Sequence, residues 1–283
     1  MTDPVTIFEM GPRDGLQNEK QQIATADKIK LVDLLSDCGF SKIEVTSFVS
    51  PKWVPQMADA TQVLAGINRR EGVSYAALTP NLRGYDGALA AKADEVAIFA
   101  SASEGFSHKN INCSIAESIE RFKPLLAQAR TDNMKVRGYV SCITDCPYDG
   151  PTAPNAVADV AATLLELGCY EISLGDTIGA ATPAKTAKML DAVLQVAQCG
   201  TLAGHFHDTK GHALDNIGTC LDHGLRTFDA AVGGLGGCPY APGAKGNVAT
   251  EAVVAMLDDK GFSTNVDLVK LNIASAFAKS LKG

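Results

Sequence analysis

Leu202-Ala-Gly-His-Phe-His-Asp208 is the stretch of sequence around which the rest of the chain is organised. It is short and mostly apolar, and Thr209-Lys-Gly211 follows it, which predicts a buried strand that ends in a loop. Side chains two residues apart on a strand point to the same face, so His205 and His207 present both imidazoles to one side. Two neutral imidazoles there form half of a metal site that needs oxygen ligands, whereas two hydrogen-bonded core histidines are the structural alternative. The chain has five histidines and places two of them within three residues, which favours the metal interpretation.

A strand followed by a helix is the unit that the chain repeats. Strands are predicted at 5–9, 42–48, 74–79, 95–100, 135–141, 170–174, 202–208 and 227–232. Helices are predicted at 25–38, 55–67, 81–92, 114–130, 154–167, from 182 onward, 211–223, 248–257 and 266–281. Eight such units predict an α/β fold, a closed (β/α)8 TIM barrel with C-terminal helices, as a single domain over residues 1–283. A doubly wound open sheet is the alternative.

The composition is that of an ordinary globular protein, with 46% hydrophobic and 20% charged residues. A net charge of −7 without a run of Lys or Arg argues against a nucleic-acid partner. No apolar run reaches the ~18 residues of a membrane span, so we expect no membrane partner. Eight cysteines without a Cys-x-x-Cys pair predict reduced thiols. Together with an N-terminus unlike a signal peptide, they predict a cytoplasmic protein.

Polar residues follow the predicted strands at the end where barrels of this kind carry their functional side chains. Asp14, Asp176 and Asn247 could each be a turn or cap residue, and their shared rim is what favours a functional role. The candidates in chain order are Arg13, Asp14, Glu44, Asp176, His205, His207, Cys238 and Asn247.

The candidate side chains combine into a site for a hard cation and an anion. Two imidazole nitrogens with Asp and Asn oxygens suit Mg²⁺ or Mn²⁺, with water or substrate at the remaining positions. Arg13 would stand beside the metal as a positive donor for an oxyanion, and we expect Glu44 to hold it by a bidentate pair. Cys238 lies in a glycine-rich loop, where a thiol could be a proton donor, a nucleophile or a small apolar residue.

Five motifs are distributed along the chain between residues 11 and 240. They are Gly11-Pro-Arg-Asp-Gly-Leu-Gln-Asn-Glu-Lys20, Thr46-Ser-Phe-Val-Ser-Pro-Lys-Trp-Val-Pro-Gln56, Lys109-Asn-Ile-Asn-Cys-Ser114, Gly168-Cys-Tyr-Glu-Ile-Ser-Leu-Gly-Asp-Thr-Ile-Gly179 and Gly234-Leu-Gly-Gly-Cys-Pro-Tyr240. These motifs resemble the 3-hydroxy-3-methylglutaryl-CoA lyase family of the metal-dependent DRE-TIM metallolyases. The resemblance implies retro-Claisen cleavage of a 3-hydroxy-3-methylglutaryl thioester to acetyl-CoA and acetoacetate, with an acyl-CoA as the partner.

The resemblance also implies roles for individual residues. Arg13 matches the enolate stabiliser, and Cys238 is expected to protonate the enolate. His205 is the first candidate for the base that takes the hydroxyl proton, and Asp14 is the second. Lys20 and Asn110 fall in segments that lie near the CoA in the family. The metal ligands that the resemblance implies are Asp14, His205, His207 and Asn247, and Glu44 and Asp176 complete the predicted catalytic set.

The chain departs from the family pattern at two places. After His207-Asp-Thr the family usually continues Tyr-Gly-Gln, but this chain has Lys210-Gly-His212. The family also often has Ala before the Leu-Gly-Gly of the cysteine loop, where this chain has Gly233-Gly234. A lyase for a different branched 3-hydroxyacyl-CoA is therefore one alternative. A Claisen-condensing synthase is another, although we expect no room for its additional C-terminal domain. A barrel metallohydrolase and a non-catalytic metal-binding barrel are more distant, and a homodimer is left open.

Overall fold

The computed structural model of the chain describes residues 3–236 and 246–282. Its eight parallel strands are β1 (Thr6–Glu9), β2 (Lys42–Ser47), β3 (Ser74–Leu78), β4 (Glu95–Ser101), β5 (Lys135–Ser141), β6 (Glu171–Asp176), β7 (Leu202–Phe206) and β8 (Thr227–Ala230). Each strand pairs with the next along the chain, and β8 pairs back with β1 to close the barrel. The predicted (β/α)8 barrel is confirmed, and the open sheet is wrong.

Helices surround the barrel and cover the outer face of its strands. They are α1 (Thr25–Ser36), α2 (Ala60–Gly66), α3 (Leu82–Ala90), α4 (Glu104–Ile111), α5 (Ile115–Thr131), α6 (Pro154–Glu166), α7 (Pro183–Val193), α8 (Ala213–Asp222), α9 (Thr250–Asp259) and α10 (Leu268–Ser280). The predicted helix over 55–67 is divided into a 3₁₀ turn at Pro55–Met57 and α2. Sequence patterning missed α4, which is short, begins at the cap Ser103 and ends at Asn112 in the left-handed conformation. It also missed the hairpin of Asp145–Cys146 and Gly150–Pro151, because two-residue strands show no periodicity.

Local signals in the sequence explain where several helices begin and end. Ser114 and Glu117 form the predicted capping box at the start of α5. Gly39 lies in the turn after α1 with φ +97°, and a Cβ at this position would lie 2.3 Å from the carbonyl oxygen of Asn265. Only glycine therefore allows the close approach of this turn to the segment before α10.

The inside of the barrel is partly charged. Arg137 on β5 is 1% exposed and lies across the interior, where it pairs with Glu171 on β6 and Asp229 on β8. Phe8 and Tyr139 pack against its guanidinium, with ring centroids 4.5 and 5.2 Å from Cζ. A buried charge is tolerated only when it is paired and hydrogen-bonded, and this interior meets that condition.

Two further properties follow from the described part of the chain. None of its helices is both long and apolar enough to cross a membrane. Its seven cysteines are free thiols, and six of them are buried.

Candidate metal centre

A single π-helical turn, Gly11–Gly15, follows β1 and carries two of the predicted site residues, Arg13 and Asp14. Such turns are rare and occur frequently at functional sites. Glu9, at the end of β1, accepts hydrogen bonds from the backbone N–H groups of Gly11 and Val232, each at 2.8 Å. It also accepts one from the hydroxyl of Thr250 at 2.6 Å. One buried carboxylate therefore connects the turn after β1 with the segments that follow β8.

Asp14, His205 and His207 converge at the carboxyl end of the barrel. One carboxylate oxygen of Asp14, Oδ2, lies 3.9 Å from Nε2 of each histidine. The imidazole ring centroids are 5.5 Å apart. All three ligand atoms lie within 4.8 Å of one another, so a cation with bond lengths of ~2–2.6 Å can contact all of them.

Asn247 completes the cluster from the segment after β8. Its Nδ2 donates to Asp14 Oδ2 at 2.7 Å and to the carbonyl of Leu235 at 3.2 Å. Among the described residues, its Oδ1 is buried without a hydrogen-bond partner, and so is Nδ1 of His207. Buried polar atoms nearly always have a partner, so an amide oxygen in this position, beside a carboxylate and two imidazoles, suits a cation ligand. The predicted ligand set is therefore brought together.

The charges of the cluster also suit a cation. Burial acts to raise the pKa of Asp14, but Arg13 and the two imidazoles lower it to about 2, so the group is a carboxylate at neutral pH. Burial lowers the pKa of His207 to about 4, which keeps that imidazole neutral. A deprotonated carboxylate and a neutral imidazole are the forms that bind metals.

Arg13 is held by two carboxylates at once. Its Nε donates to Glu44 Oε2 at 2.5 Å, and one terminal nitrogen donates to Asp14 Oδ1 at 2.6 Å. Gln17 donates to the same oxygen of Asp14 at 2.9 Å. The expected bidentate pair between Arg13 and Glu44 is wrong, because the guanidinium divides its donors between two acids. Burial raises the pKa of Glu44, whose other oxygen is buried and has no hydrogen-bond partner in the part of the chain that the structure describes.

Asp176 lies at the same rim but outside the Asp14–His205–His207 cluster. Its two oxygens each accept a backbone N–H at 3.0 Å, from Ala180 and Ala181, and so close the loop after β6. Burial raises its pKa to about 6.

The predicted CoA residues are exposed. Lys20 follows the π-helical turn, and Asn110 lies on α4, so both belong to segments that follow the carboxyl ends of strands. The amide of Gln56 donates to the carbonyls of Glu19 and Gln21 at 3.2 and 2.8 Å, which holds the segment around Lys20.

Cys238 lies outside the described residues, but the flanking residues on both sides lie beside the cluster. A Cβ on Gly236, whose φ is +98°, would lie 2.7 Å from Nδ2 of Asn247. A Cβ on Gly246 would lie 1.1 Å from the carbonyl oxygen of Gly236, so the two glycines touch. The described residues that precede and follow the segment of Cys238 therefore both lie at the cluster.

Asp229 is the site residue that sequence reasoning missed. It lies inside β8, where its Oδ2 is 3.1 Å from Nδ1 of His205. Burial acts to lower the pKa of His205, but the hydrogen bond and charge of Asp229 raise it. The available signal was an acidic residue in an otherwise apolar strand, since such a residue needs a buried partner.

A closed (β/α)8 barrel with an Asp–His–His cluster at the carboxyl ends of its strands belongs to the class of barrel enzymes with a candidate metal site. Comparisons with known proteins narrow this class. The HMGL-like family model matches residues 4–277. The 3-hydroxy-3-isohexenylglutaryl-CoA/hydroxy-methylglutaryl-CoA lyase of Pseudomonas aeruginosa is 57% identical over 93% of this chain and 88% of its own length.

Solved structures agree with the sequence comparison. The HMG-CoA lyase of Brucella melitensis has a TM-score of 0.98 at 61% identity and covers 99% of both chains. An HMG-CoA lyase of Acinetobacter baumannii, in complex with coenzyme A and 3-methylmalate, has a TM-score of 0.94 at 38% identity over 99% of this chain and 91% of its own. The chain belongs to the HMGL-like family and is a lyase.

The cluster makes a direct prediction about cation binding. His207→Ala removes one of the two proposed imidazole ligands. The affinity for Mn²⁺ should therefore fall by more than the ~10–100-fold that typically follows the loss of a residue hydrogen-bonded to a metal ligand. Isothermal titration of the metal-free protein with Mn²⁺ measures this.

His212→Ala is the matched control, because His212 is 43% exposed and its nearest charged partner is Asp215 at 3.7 Å. It should bind Mn²⁺ like the parent. Equal affinity of His207→Ala and His212→Ala would contradict the assigned cluster.

Proposed function

We propose that the chain is a divalent-metal-dependent carbon–carbon lyase that cleaves 3-hydroxy-3-methylglutaryl-CoA to acetyl-CoA and acetoacetate by a retro-Claisen reaction. The observation that carries this proposal is the position of the Asp14 carboxylate. It accepts a hydrogen bond from the Arg13 guanidinium and also lies in one cluster with the imidazoles of His205 and His207. A cation bound there would lie next to a fixed positive donor. The names of the relatives support the substrate.

Asp14, His205, His207 and Asn247 would hold the cation, for which Mg²⁺ or Mn²⁺ is proposed from the mixed nitrogen and oxygen donors. A divalent ion there would supply Lewis acidity to the tertiary hydroxyl of the substrate. His205 has Nδ1 against Asp229, so only Nε2 faces the cluster. One lone pair cannot bind a cation and also accept a proton, so we assign His205 as a ligand rather than as the base. Asp14, the second candidate base, has a pKa of about 2 and is weakly basic.

Arg13 would stabilise the enolate. Two carboxylates hold its guanidinium before substrate arrives, so no reorganisation is needed when negative charge develops on the thioester. Burial in a site with low dielectric strengthens that interaction.

Cys238 would supply the last proton. The tertiary hydroxyl would lose its proton to solvent as it becomes the carbonyl of acetoacetate, and the electron pair of the broken carbon–carbon bond would move to the thioester enolate. The thiol would then give its proton to the α-carbon of the enolate to form acetyl-CoA. The thiolate then regains a proton from water. Gly236 and Gly246, the described residues on either side of Cys238, touch each other beside Asn247, which supports this proposal.

Lys20 and Asn110 are proposed to contact the CoA, and Asp176 to take part in catalysis from the loop after β6. A second candidate substrate comes from the name of the Pseudomonas aeruginosa relative, which includes an isohexenyl group. Lys210, which replaces the usual tyrosine after the metal strand, is exposed. A cytoplasmic location, a homodimer and a single-domain organisation stay predictions.

The substrate proposal is tested with a panel of CoA thioesters that differ at C3. We expect the methyl compound to have the highest kcat/KM, above the isohexenyl and unbranched 3-hydroxyglutaryl thioesters, with products measured by mass spectrometry. An additional methylene in an apolar pocket changes kcat/KM by roughly 10–200-fold, so the ranking is measurable. Faster cleavage of the isohexenyl compound would leave the lyase assignment intact and show that the methylglutaryl substrate is wrong.

Arg13→Met tests the enolate role. Loss of a donor to a developing oxyanion typically costs ~10²–10³ in rate, so kcat should fall by at least this factor while KM changes little. Steady-state kinetics measure both constants, and Mn²⁺ titration shows whether the cation site is intact.

Arg69→Met is the matched control. Arg69 lies before β3, at the opposite end of the barrel, and pairs with Asp94 at 2.9 Å with both side chains partly exposed. It should keep parental kcat. If Arg13→Met raises KM and leaves kcat unchanged, the arginine binds the ground state and does not act on the enolate.

A further inference from the structure

Asp229 is the point where the charged interior of the barrel meets the candidate metal centre. It lies in β8 with 1% exposure, directly paired in register with His205 on β7. Its Oδ2 accepts a hydrogen bond from the Ser173 hydroxyl at 2.7 Å and lies 3.1 Å from Nδ1 of His205. Arg137 donates to both oxygens, at 3.0 and 2.8 Å. Four contacts from three other strands therefore hold this one carboxylate.

These contacts decide which nitrogen of His205 carries hydrogen. An ionised carboxylate only accepts hydrogen bonds, so the Nδ1 that contacts it must be the N–H. Neutral imidazole then has its lone pair on Nε2, the atom that lies 3.9 Å from Asp14 Oδ2. The edge of the ring also lies against Tyr139, with centroids 6.3 Å apart and an interplanar angle of 81°.

His207 provides an internal comparison. Its Nδ1 is buried without a hydrogen-bond partner among the described residues, so nothing there selects its tautomer. Within the described residues the two histidines therefore differ: a carboxylate orients the imidazole of His205 in β7, and none orients that of His207, which follows the strand.

We propose that Asp229 is a positioning residue that sets the tautomer and ring orientation of His205, and that Arg137 and Ser173 hold Asp229 for this purpose. The proposal rests on the metal centre proposed above and extends it to the residues behind the ligands. Partners of this kind orient metal-binding histidines, and their loss typically lowers metal affinity by ~10–100-fold.

A simpler role for Asp229 is charge balance for the buried Arg137. Glu171 separates the two roles, because its Oε1 accepts from Nε of Arg137 at 2.7 Å. Glu171 belongs to the same ion-pair network, where it pairs with Arg137 and not with His205 among the described residues. Glu171→Gln therefore removes one negative charge from Arg137 without touching the imidazole.

The first experiment needs no variant and no turnover. Long-range ¹H–¹⁵N correlation spectra of the metal-free parent protein, at alkaline pH where imidazoles are neutral, identify the tautomer of each histidine. We expect hydrogen on Nδ1 of His205. Hydrogen on Nε2 would overturn the proposal whether or not the protein cleaves any thioester, and the expected tautomer with an inert methylglutaryl thioester would contradict the proposed function alone.

The second experiment compares Asp229→Asn with Glu171→Gln. The asparagine amide can present N–H to Nδ1, so Asp229→Asn should increase the Nε2–H tautomer and lower Mn²⁺ affinity by ~10–100-fold. Glu171→Gln should keep the parental tautomer and bind Mn²⁺ within about threefold of the parent, since its carboxylate is not an outer-shell partner of a ligand. Equal losses in both variants, or unchanged affinity in Asp229→Asn, would overturn the positioning role. If Asp229→Asn does not fold, the parent spectrum decides alone.

Discussion

The shared carboxylate of Asp14 is the interaction on which the site depends. Its Oδ1 accepts from Arg13 and Gln17, while its Oδ2 accepts from Asn247 and faces the two imidazoles. Removing a carboxylate from water costs free energy unless its oxygens accept hydrogen bonds or face positive charge. The neighbours of Asp14 must therefore be held in place. The π-helical turn and the hydrogen bonds of Glu9 meet that requirement, because they hold Asp14 against the segments after β8.

Closure of the barrel makes the cluster possible. Asp14 follows β1, His205 lies on β7, and Asn247 follows β8, so the ligands come from opposite ends of the sequence. β1 pairs with β8, and β8 pairs with β7, which places all three beside one another. An open sheet with β1 and β8 at its two edges would separate them. The fold therefore contributes to the chemistry by placing β8 between β1 and β7.

The charged residues inside the barrel are connected to the cluster through Asp229. Arg137 extends from β5 to Asp229 on β8 and Glu171 on β6, and Asp229 contacts His205. A buried network of this kind costs free energy if any member lacks a partner, and it is rigid when every member is paired. The network therefore contributes rigidity beneath the cluster more than net stability.

The sequence predicted the barrel from local periodicity, and it predicted that the four proposed ligands lie together from the ends of the strands and from the family resemblance. Alternation placed His205 and His207 on one face, and the order of strands placed Asp14 and Asn247 on the same rim. Asp229 was not predicted, because its partners come from three other strands and one acidic residue in an apolar strand does not identify them. The π-helical turn and the division of Arg13 between two acids depend on hydrogen bonds that no sequence pattern specifies.

The central claim is that one buried divalent cation is bound by both imidazoles together with Asp14. Pulsed electron paramagnetic resonance of the Mn²⁺-loaded protein tests it most directly, because ¹⁴N nuclei bound to the ion modulate its echo. The account predicts couplings from two nitrogens, each removed when the corresponding histidine is replaced with alanine. Mn²⁺ that binds without nitrogen coupling, or with coupling that survives both replacements, would contradict it.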